Sequence, residues 1–322
     1  MDSFQLVQIN LLSPMVLAFV LGLIAALIRS DLRLPEALYQ SLSIYLLFAI
    51  GLKGGLELST TSLVAVWKPA LATLALGVVT PLIAYAISRK LGKLDAANAG
   101  ALAAHYGSVS AVTFTAATTF AQAVGAPVEG FMPTLVVVLE IPAILIGVLL
   151  AKRALKNDEM QWGKLLHELF TGKSIVLIVG GLLIGVLVGK DNAKQVAPLF
   201  VDLFRGALTL FLLELGIVAG QRLRDLRRAG VFLVLFGILV PVLHGGLGVV
   251  MGQWAGLSLG GCMVLGTMAA SASYIAAPAA VRIVLPQANP GYYLTAALGI
   301  TFPFNLVLGM PLYFALARFL TS

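Results

Sequence analysis

What this sequence has little of narrows its class. Charged residues occupy only 11% of its 322 positions, against roughly 25% in soluble domains, while hydrophobic residues reach 60% and mean hydropathy is +1.00. That composition excludes a water-soluble fold. The single cysteine, Cys262, lies in an apolar glycine-rich stretch, so no intrachain disulfide is possible and the residue reads as packing. There are three histidines, and no His/Cys/Asp/Glu group has metal-ligand spacing. The formal charge of +7 does not point to nucleic acid, because the basic residues sit in short loops between apolar runs. The first run, Leu11 to Ile28, lacks a basic n-region and a small-x-small cleavage site, so it reads as a span and not as a signal peptide.

What is present is a series of long apolar runs. Crossing a hydrocarbon layer of about 30 Å takes about 20 mainly apolar residues per helix. The chain divides into ten such segments, near 12–29, 36–55, 67–88, 95–123, 130–151, 174–190, 199–220, 229–253, 258–285 and 292–319. The expected fold is an all-α polytopic membrane protein with ten transmembrane helices. Positions 152–173 form the one long polar stretch, with Lys152, Arg153, Lys156, Asp158, Glu159, Lys164, His167, Glu168 and Lys173, and read as a linker that includes an amphipathic surface helix. Ten spans put 15 of the 21 Lys and Arg on the linker side and leave Lys53, Lys68, Lys190, Lys194, Arg205 and Arg318 on the other. The positive-inside rule then makes the linker cytoplasmic and both termini external.

Landmarks recur at near-constant spacing. Pro35 answers to Pro198, Pro81 to Pro241, Ser108-Val-Ser110 to Ser271-Ala-Ser273, and Pro142 to Pro303, at offsets of 163, 160, 163 and 161 residues. Each half holds five spans, an odd number, so the second half enters the bilayer upside down. The organisation expected is an inverted 5+5 repeat: residues 1–151, a linker over 152–173, and residues 174–322. Such repeats put the substrate near the midplane, where discontinuous helices meet.

The fourth and ninth spans fit that role. One carries Gly107, Ser108, Ser110, Thr113, Thr115, Thr118 and Thr119; the other carries Thr267, Ser271, Ser273, Tyr274 and Pro278. A helix broken there offers N–H groups at a positive dipole end for an anion and freed carbonyls for a hard cation, and hydroxyls serve either ion. Tight packing of small residues is the alternative for each span alone. Four ionisable residues fall inside spans: His105, Glu140, Glu214 and His244. Glu140 is the sharpest, preceding Ile141-Pro142, where proline frees a carbonyl and a carboxylate can bind a cation or orient a neighbour. His105 borders Gly107-Ser108, whereas His244 beside Gly245 reads as packing. Lys53 and Glu57 read as interfacial, the run Arg222 to Arg228 as a topology determinant, and Pro286 to Pro290 as a turn.

Taken in order, Ser13-Pro14, Leu34-Pro35-Glu36-Ala37, Gly51-Leu-Lys-Gly-Gly55, Val109-Ser110 with Thr113, Glu140-Ile-Pro-Ala143, Leu203-Phe-Arg-Gly206, Pro241-Val-Leu-His-Gly245, Gly256-Leu-Ser-Leu-Gly-Gly261, Ala269-Ala-Ser-Ala-Ser273 and Gln287-Ala-Asn-Pro290 resemble the SbtA-type sodium-dependent bicarbonate transporters over nearly the whole chain. The resemblance implies a trimer in the bacterial inner membrane, a core domain moving as an elevator against a gate domain, and sodium-coupled uptake of bicarbonate. It places the anion at Gly107, Ser108, Val109, Ser110, Ser271, Ala272, Ser273 and Tyr274, and sodium at Ser110, Thr113, Glu140, Ser273 and Thr301. It implies no cofactor beyond sodium and a PII-like regulatory partner at the cytoplasmic face. The chain departs from cyanobacterial members in having Ser271-Ala-Ser-Tyr274 for Ser-Ser-Ser-Asp, Glu140 for an aspartate, and a shorter linker. Those departures leave open another small monoanion, such as a short carboxylate, coupled to protons through Glu140. A membrane enzyme built on His105 and a nearby serine is disfavoured, since His105 has no third partner to orient it.

Overall fold

The computed structural model describes residues 3–155, 162–223 and 226–321. Lys156, Asp158 and Glu159 of the polar linker and Arg224 of the basic run lie outside these described residues. The described residues form helices α1 (Ser3–Leu11), α2 (Pro14–Leu27), α3 (Glu36–Leu58), α4 (Leu63–Lys90), α5 (Ala96–Gly107), α6 (Ala111–Ala123) and α7 (Met132–Ala154). They continue with α8 (Trp162–Thr171), α9 (Lys173–Asn192), α10 (Phe204–Leu223), α11 (Leu226–Trp254), α12 (Leu259–Ala269), α13 (Ala276–Val284) and α14 (Pro290–Thr321). Seven of them, α3, α4, α7, α9, α10, α14 and α11 from Gly230, are long and apolar enough to cross a membrane, and the pair α1 and α2, bent by 62°, makes an eighth together. The chain is thus a multi-pass membrane protein.

Local chemistry sets the helix starts. Ser13 accepts from Val16 N ahead of Pro14, Ser62 from Val64 N, Asp95 from Asn98 N, Ser110 from Thr113 N and Ser258 from Gly261 N, each relieving a donor that a helix N-terminus leaves unpaired. Outward-facing apolar side chains such as Leu21, Leu74, Leu187 and Leu239 remain exposed, as a surface solvated by lipid requires.

Two packing groups result. Helix α2 lies along α10, and α3 lies along α9 and touches α10. Glycines bring these backbones together: a Cβ at Gly22 would strike the Leu213 carbonyl, and one at Gly216 the Phe19 carbonyl. Gly51 and Gly55 meet the main chain of Ile178 and Leu182 in the same way, and Gly181 and Gly185 meet Leu52. The second group packs α4 with α5 and α7, and α11 with α12 and α14. The linker helix α8 buries Leu165 and Leu169 and rests on α13 and α9, the amphipathic surface helix expected of that stretch.

Candidate functional site

Both hydroxyl-rich spans are interrupted. Helix α5 ends at Gly107, Ser108 is extended, and α6 begins at Ala111. Helix α12 ends at Ala269 and α13 begins only at Ala276. Gly107 abuts Pro81 of α4 so closely that a Cβ would come within 2.7 Å of the proline ring.

The two interruptions cross and bond to each other. Ser110 N–H donates to Ser271 Oγ at 3.0 Å, and Ser273 N–H donates to the His105 carbonyl at 2.9 Å. Ser271 Oγ in turn donates to the Met268 carbonyl at 2.7 Å. Ser110 Oγ accepts from Thr113 N at 3.1 Å and Ser273 Oγ from Ala277 N at 3.2 Å, so each oxygen caps a helix start and retains a lone pair and a proton for a ligand. The N-termini of α6 and α13 both begin at this crossing, bringing positive dipole ends and amide donors with no formal charge.

A cavity of about 10 Å³ lies here, lined by Val109, Ser110, Ala111, Glu140, Ser174, Ser273, Tyr274 and Ile275. It holds one water-sized species and is too small for an oxyanion. Glu140, from the middle of α7, is buried, and among the described residues no hydrogen bond or ion pair engages it. The Tyr274 hydroxyl faces Ser110 without reaching good hydrogen-bond geometry. Gly107, Ser108, Ser271, Ala272, Thr113 and Thr301 do not line the cavity. Ser108 Oγ is buried without a partner, and Thr301 Oγ1 bonds the Tyr106 hydroxyl at 2.7 Å and the Gly237 carbonyl at 2.7 Å, inside the second packing group.

Two chambers flank the cavity. One, of about 290 Å³, is lined by Glu140, Glu168, Lys173, Ser174, Ile275 and neighbours, and so shares Glu140, Ser174 and Ile275 with the cavity. The larger, of about 520 Å³, is lined by Lys53, Glu57, Thr115, Thr118, Gln122, Glu129, Lys190, Phe204 and others. A constriction of about 10 Å³, lined by Leu47, Ile50, Thr115, Phe211 and Ile275, shares Ile50 and Thr115 with the larger chamber and Ile275 with the cavity.

Of the other ionisable residues inside spans, Glu214 and His105 have structural partners, whereas both ring nitrogens of the buried His244 lack a hydrogen bond among the described residues. Glu214 Oε2 accepts from Leu34 N at 3.0 Å and anchors the turn ahead of α3. His105 donates from Nδ1 to the Ala101 carbonyl at 2.7 Å and lies against Tyr293, ring centroids 4.2 Å apart and tilted by 30°, with no carboxylate among the described residues to orient it. Asn305, whose role the sequence reading missed, donates from Nδ2 to the Ala270 carbonyl at 2.8 Å, holding an acceptor that the break in α12–α13 sets free. Ser174 was also missed; it follows the polar linker by one residue, where nothing local marks it as a lining residue.

Comparison with known families gives one match. The profile of the Na+-dependent bicarbonate transporter superfamily fits residues 14–318, nearly the whole chain. No curated protein matches the sequence.

Proposed function

The chain belongs to the Na+-dependent bicarbonate transporter superfamily, and from that premise we propose that it carries bicarbonate with sodium by alternating access, binding both ions where α5–α6 and α12–α13 cross. The observation that carries this reading is the meeting of two helix N-termini and a partnerless carboxylate around one cavity. The hydroxyls of Ser110 and Ser273 and the dipole ends of α6 and α13 suit a small oxyanion, and Glu140 with the freed carbonyls suits sodium. We extend the proposed ion-binding set to Gly107, Ser108, Val109, Ser271, Ala272 and Tyr274 for the anion and to Thr113 and Thr301 for sodium, as the resemblance implies.

Counting each broken pair as one span gives the proposed ten, arranged as an inverted repeat of 1–151 and 174–322 about the 152–173 linker. Helix contacts support that reading: exchange of the halves turns α2 on α10 into α9 on α3, and Gly51 and Gly55 stand 165 residues before Gly216 and Gly220 in the paired contacts. The group α2, α3, α9 and α10 is the proposed gate, and the group holding both broken pairs is the proposed elevator core. A shared cavity wall between Glu140 of the core and Ser174 of the gate fits sliding of one group past the other. A homotrimer in the bacterial inner membrane, external termini, surrounding lipid and a PII-like partner at the linker face belong to the same proposal. It assigns no catalytic residue.

Radiolabelled bicarbonate uptake into proteoliposomes, with and without an inward sodium gradient, tests the function. Uptake that rises with sodium is the expected outcome, and uptake indifferent to sodium rejects it. A second reading, transport of a short carboxylate with protons, draws on Glu140 having no cationic neighbour in the cavity; competition by acetate or formate together with sodium independence would favour it.

A further inference from the structure

Cation partners in the larger chamber are unequally distributed. Lys190 Nζ pairs with Glu57 Oε2 at 2.8 Å and Lys194 Nζ with Asp191 Oδ1 at 3.1 Å. No ion pair among the described residues includes Lys53 or Arg205. Lys53 Nζ instead lies 4.4 Å from the Phe204 ring centroid, and the next residue, Arg205, is near enough to act on Lys53 electrostatically. Of the carboxylates that line the chamber, Glu57 is taken by Lys190 and Glu129 accepts from Ser258 N and Oγ. Two like charges held together with no carboxylate in ion-pair contact with either among the described residues leave a local excess of positive potential around Lys53.

Gln122 completes the arrangement. Arg205 Nη2 donates to Gln122 Oε1 at 2.9 Å. A guanidinium has no acceptor, so the amide must present its oxygen to Arg205 and its two Nε2 protons elsewhere. Gln122 and Lys53 line the same chamber, as does Phe204, the first residue of α10. Among the described residues neither the Lys53 ammonium nor the Gln122 amide nitrogen donates a hydrogen bond, so both leave donors in the chamber for a ligand. The Thr118 hydroxyl points its proton at the Thr115 carbonyl and is not a donor here.

We propose that Lys53 and the Gln122 amide, which Arg205 holds from outside the chamber wall, form a second anion site in the larger chamber that takes a small monovalent oxyanion of the bicarbonate class independently of sodium. It rests on the proposed transport only for the identity of the anion. At the helix crossing an adjacent sodium ion supplies the positive charge, whereas here the side chains supply it themselves. The site concentrates anion at the entrance to the constriction of Ile50 and Thr115.

Isothermal titration of the purified full-length protein with bicarbonate, as the potassium salt in sodium-free gluconate buffer and then as the sodium salt, tests this. Wild-type protein is expected to bind in both, with one sodium-independent site. Lys53→Gln and Arg205→Gln should each weaken that sodium-free binding at least tenfold, the loss of a hydrogen bond to a charged group, while Lys53→Arg retains it and controls for folding. Absent sodium-free binding in wild type, or binding unchanged in both glutamine variants, overturns the proposal. Sodium-free binding that Lys53→Gln removes, in a protein showing no sodium-stimulated binding, upholds this site and rejects the transport reading instead.

Discussion

The main-chain N–H of Ser110 donates to the hydroxyl oxygen of Ser271 at 3.0 Å, joining the two helix breaks across 161 residues of chain. Both residues are almost wholly buried, and the cavity beside Ser110 has room for at most one water. Ser271→Ala should leave it unpaired at a cost of about 1–3 kcal/mol. The expected outcome is a lowered melting temperature of the purified protein by scanning fluorimetry, with Ser271→Thr restoring most of the loss. An alanine variant as stable as wild type would show that this bond does not hold the crossing.

Gly107 ends α5 against the ring of Pro81 on α4, where a Cβ would sit 2.7 Å from proline carbon. Gly107→Val forces α4 and α5 apart beside the extended Ser108 and should cost about 1–3 kcal/mol by overpacking. Transport should fall more than stability, because displacement of Ser108 carries into Ser110 and the α6 N-terminus. Uptake measured alongside a thermal melt checks this, and equal losses in the two would argue against it.

Asn305 donates to the Ala270 carbonyl at 2.8 Å and accepts from the Tyr313 hydroxyl at 3.1 Å, all buried. Asn305→Leu fills the volume but leaves the carbonyl without a donor, so destabilisation of about 1–3 kcal/mol is expected. Asn305→Gln should not rescue it, since the longer side chain misplaces the amide. The melting temperature is again the measurement, and a neutral Asn305→Leu would mean that the freed carbonyl finds another donor.

The breaks were legible in sequence because two spans at matching places in the repeat both concentrate small and hydroxyl residues, which tight packing explains less readily for the pair than for either alone; Ser108 to Ser110 and Ser271 to Ser273 are both outside regular helix. Glu140 was legible because a charge inside an apolar run is costly. What escaped depends on which helices pack together. Ser174 has no distinctive neighbours, and it reaches the cavity only because α9 lies against α3 and starts beside the crossing. Asn305 sits in an apolar run whose partner, Ala270, is 35 residues away. Gly51 and Gly55 enter the sequence reading only as part of a family motif at the end of the 36–55 span, whereas their neighbours make them a contact surface for α9. Thr301, expected at sodium, has hydrogen-bond partners in Tyr106 and Gly237 that no sequence spacing reveals.

Glu140 gives the sharpest separation of the two functional readings. Its carboxyl is buried at the cavity with Ser110 and Ser273 and lacks a cationic side chain, so its charge needs a bound cation or a proton. If sodium is that cation, Glu140→Gln keeps size and polarity but removes the charge, and sodium-stimulated bicarbonate uptake should fall at least tenfold, the scale of losing one charge-assisted contact. Glu140→Asp should keep sodium dependence at a weaker apparent affinity, because the shorter side chain preserves charge but not reach. Under proton coupling, Glu140→Gln should instead abolish the response of uptake to a pH gradient while wild-type uptake ignores sodium. Initial rates over a sodium series at fixed pH, then over a pH series at fixed sodium, for these three proteins decide between them; full sodium stimulation in Glu140→Gln would remove Glu140 from the ion site.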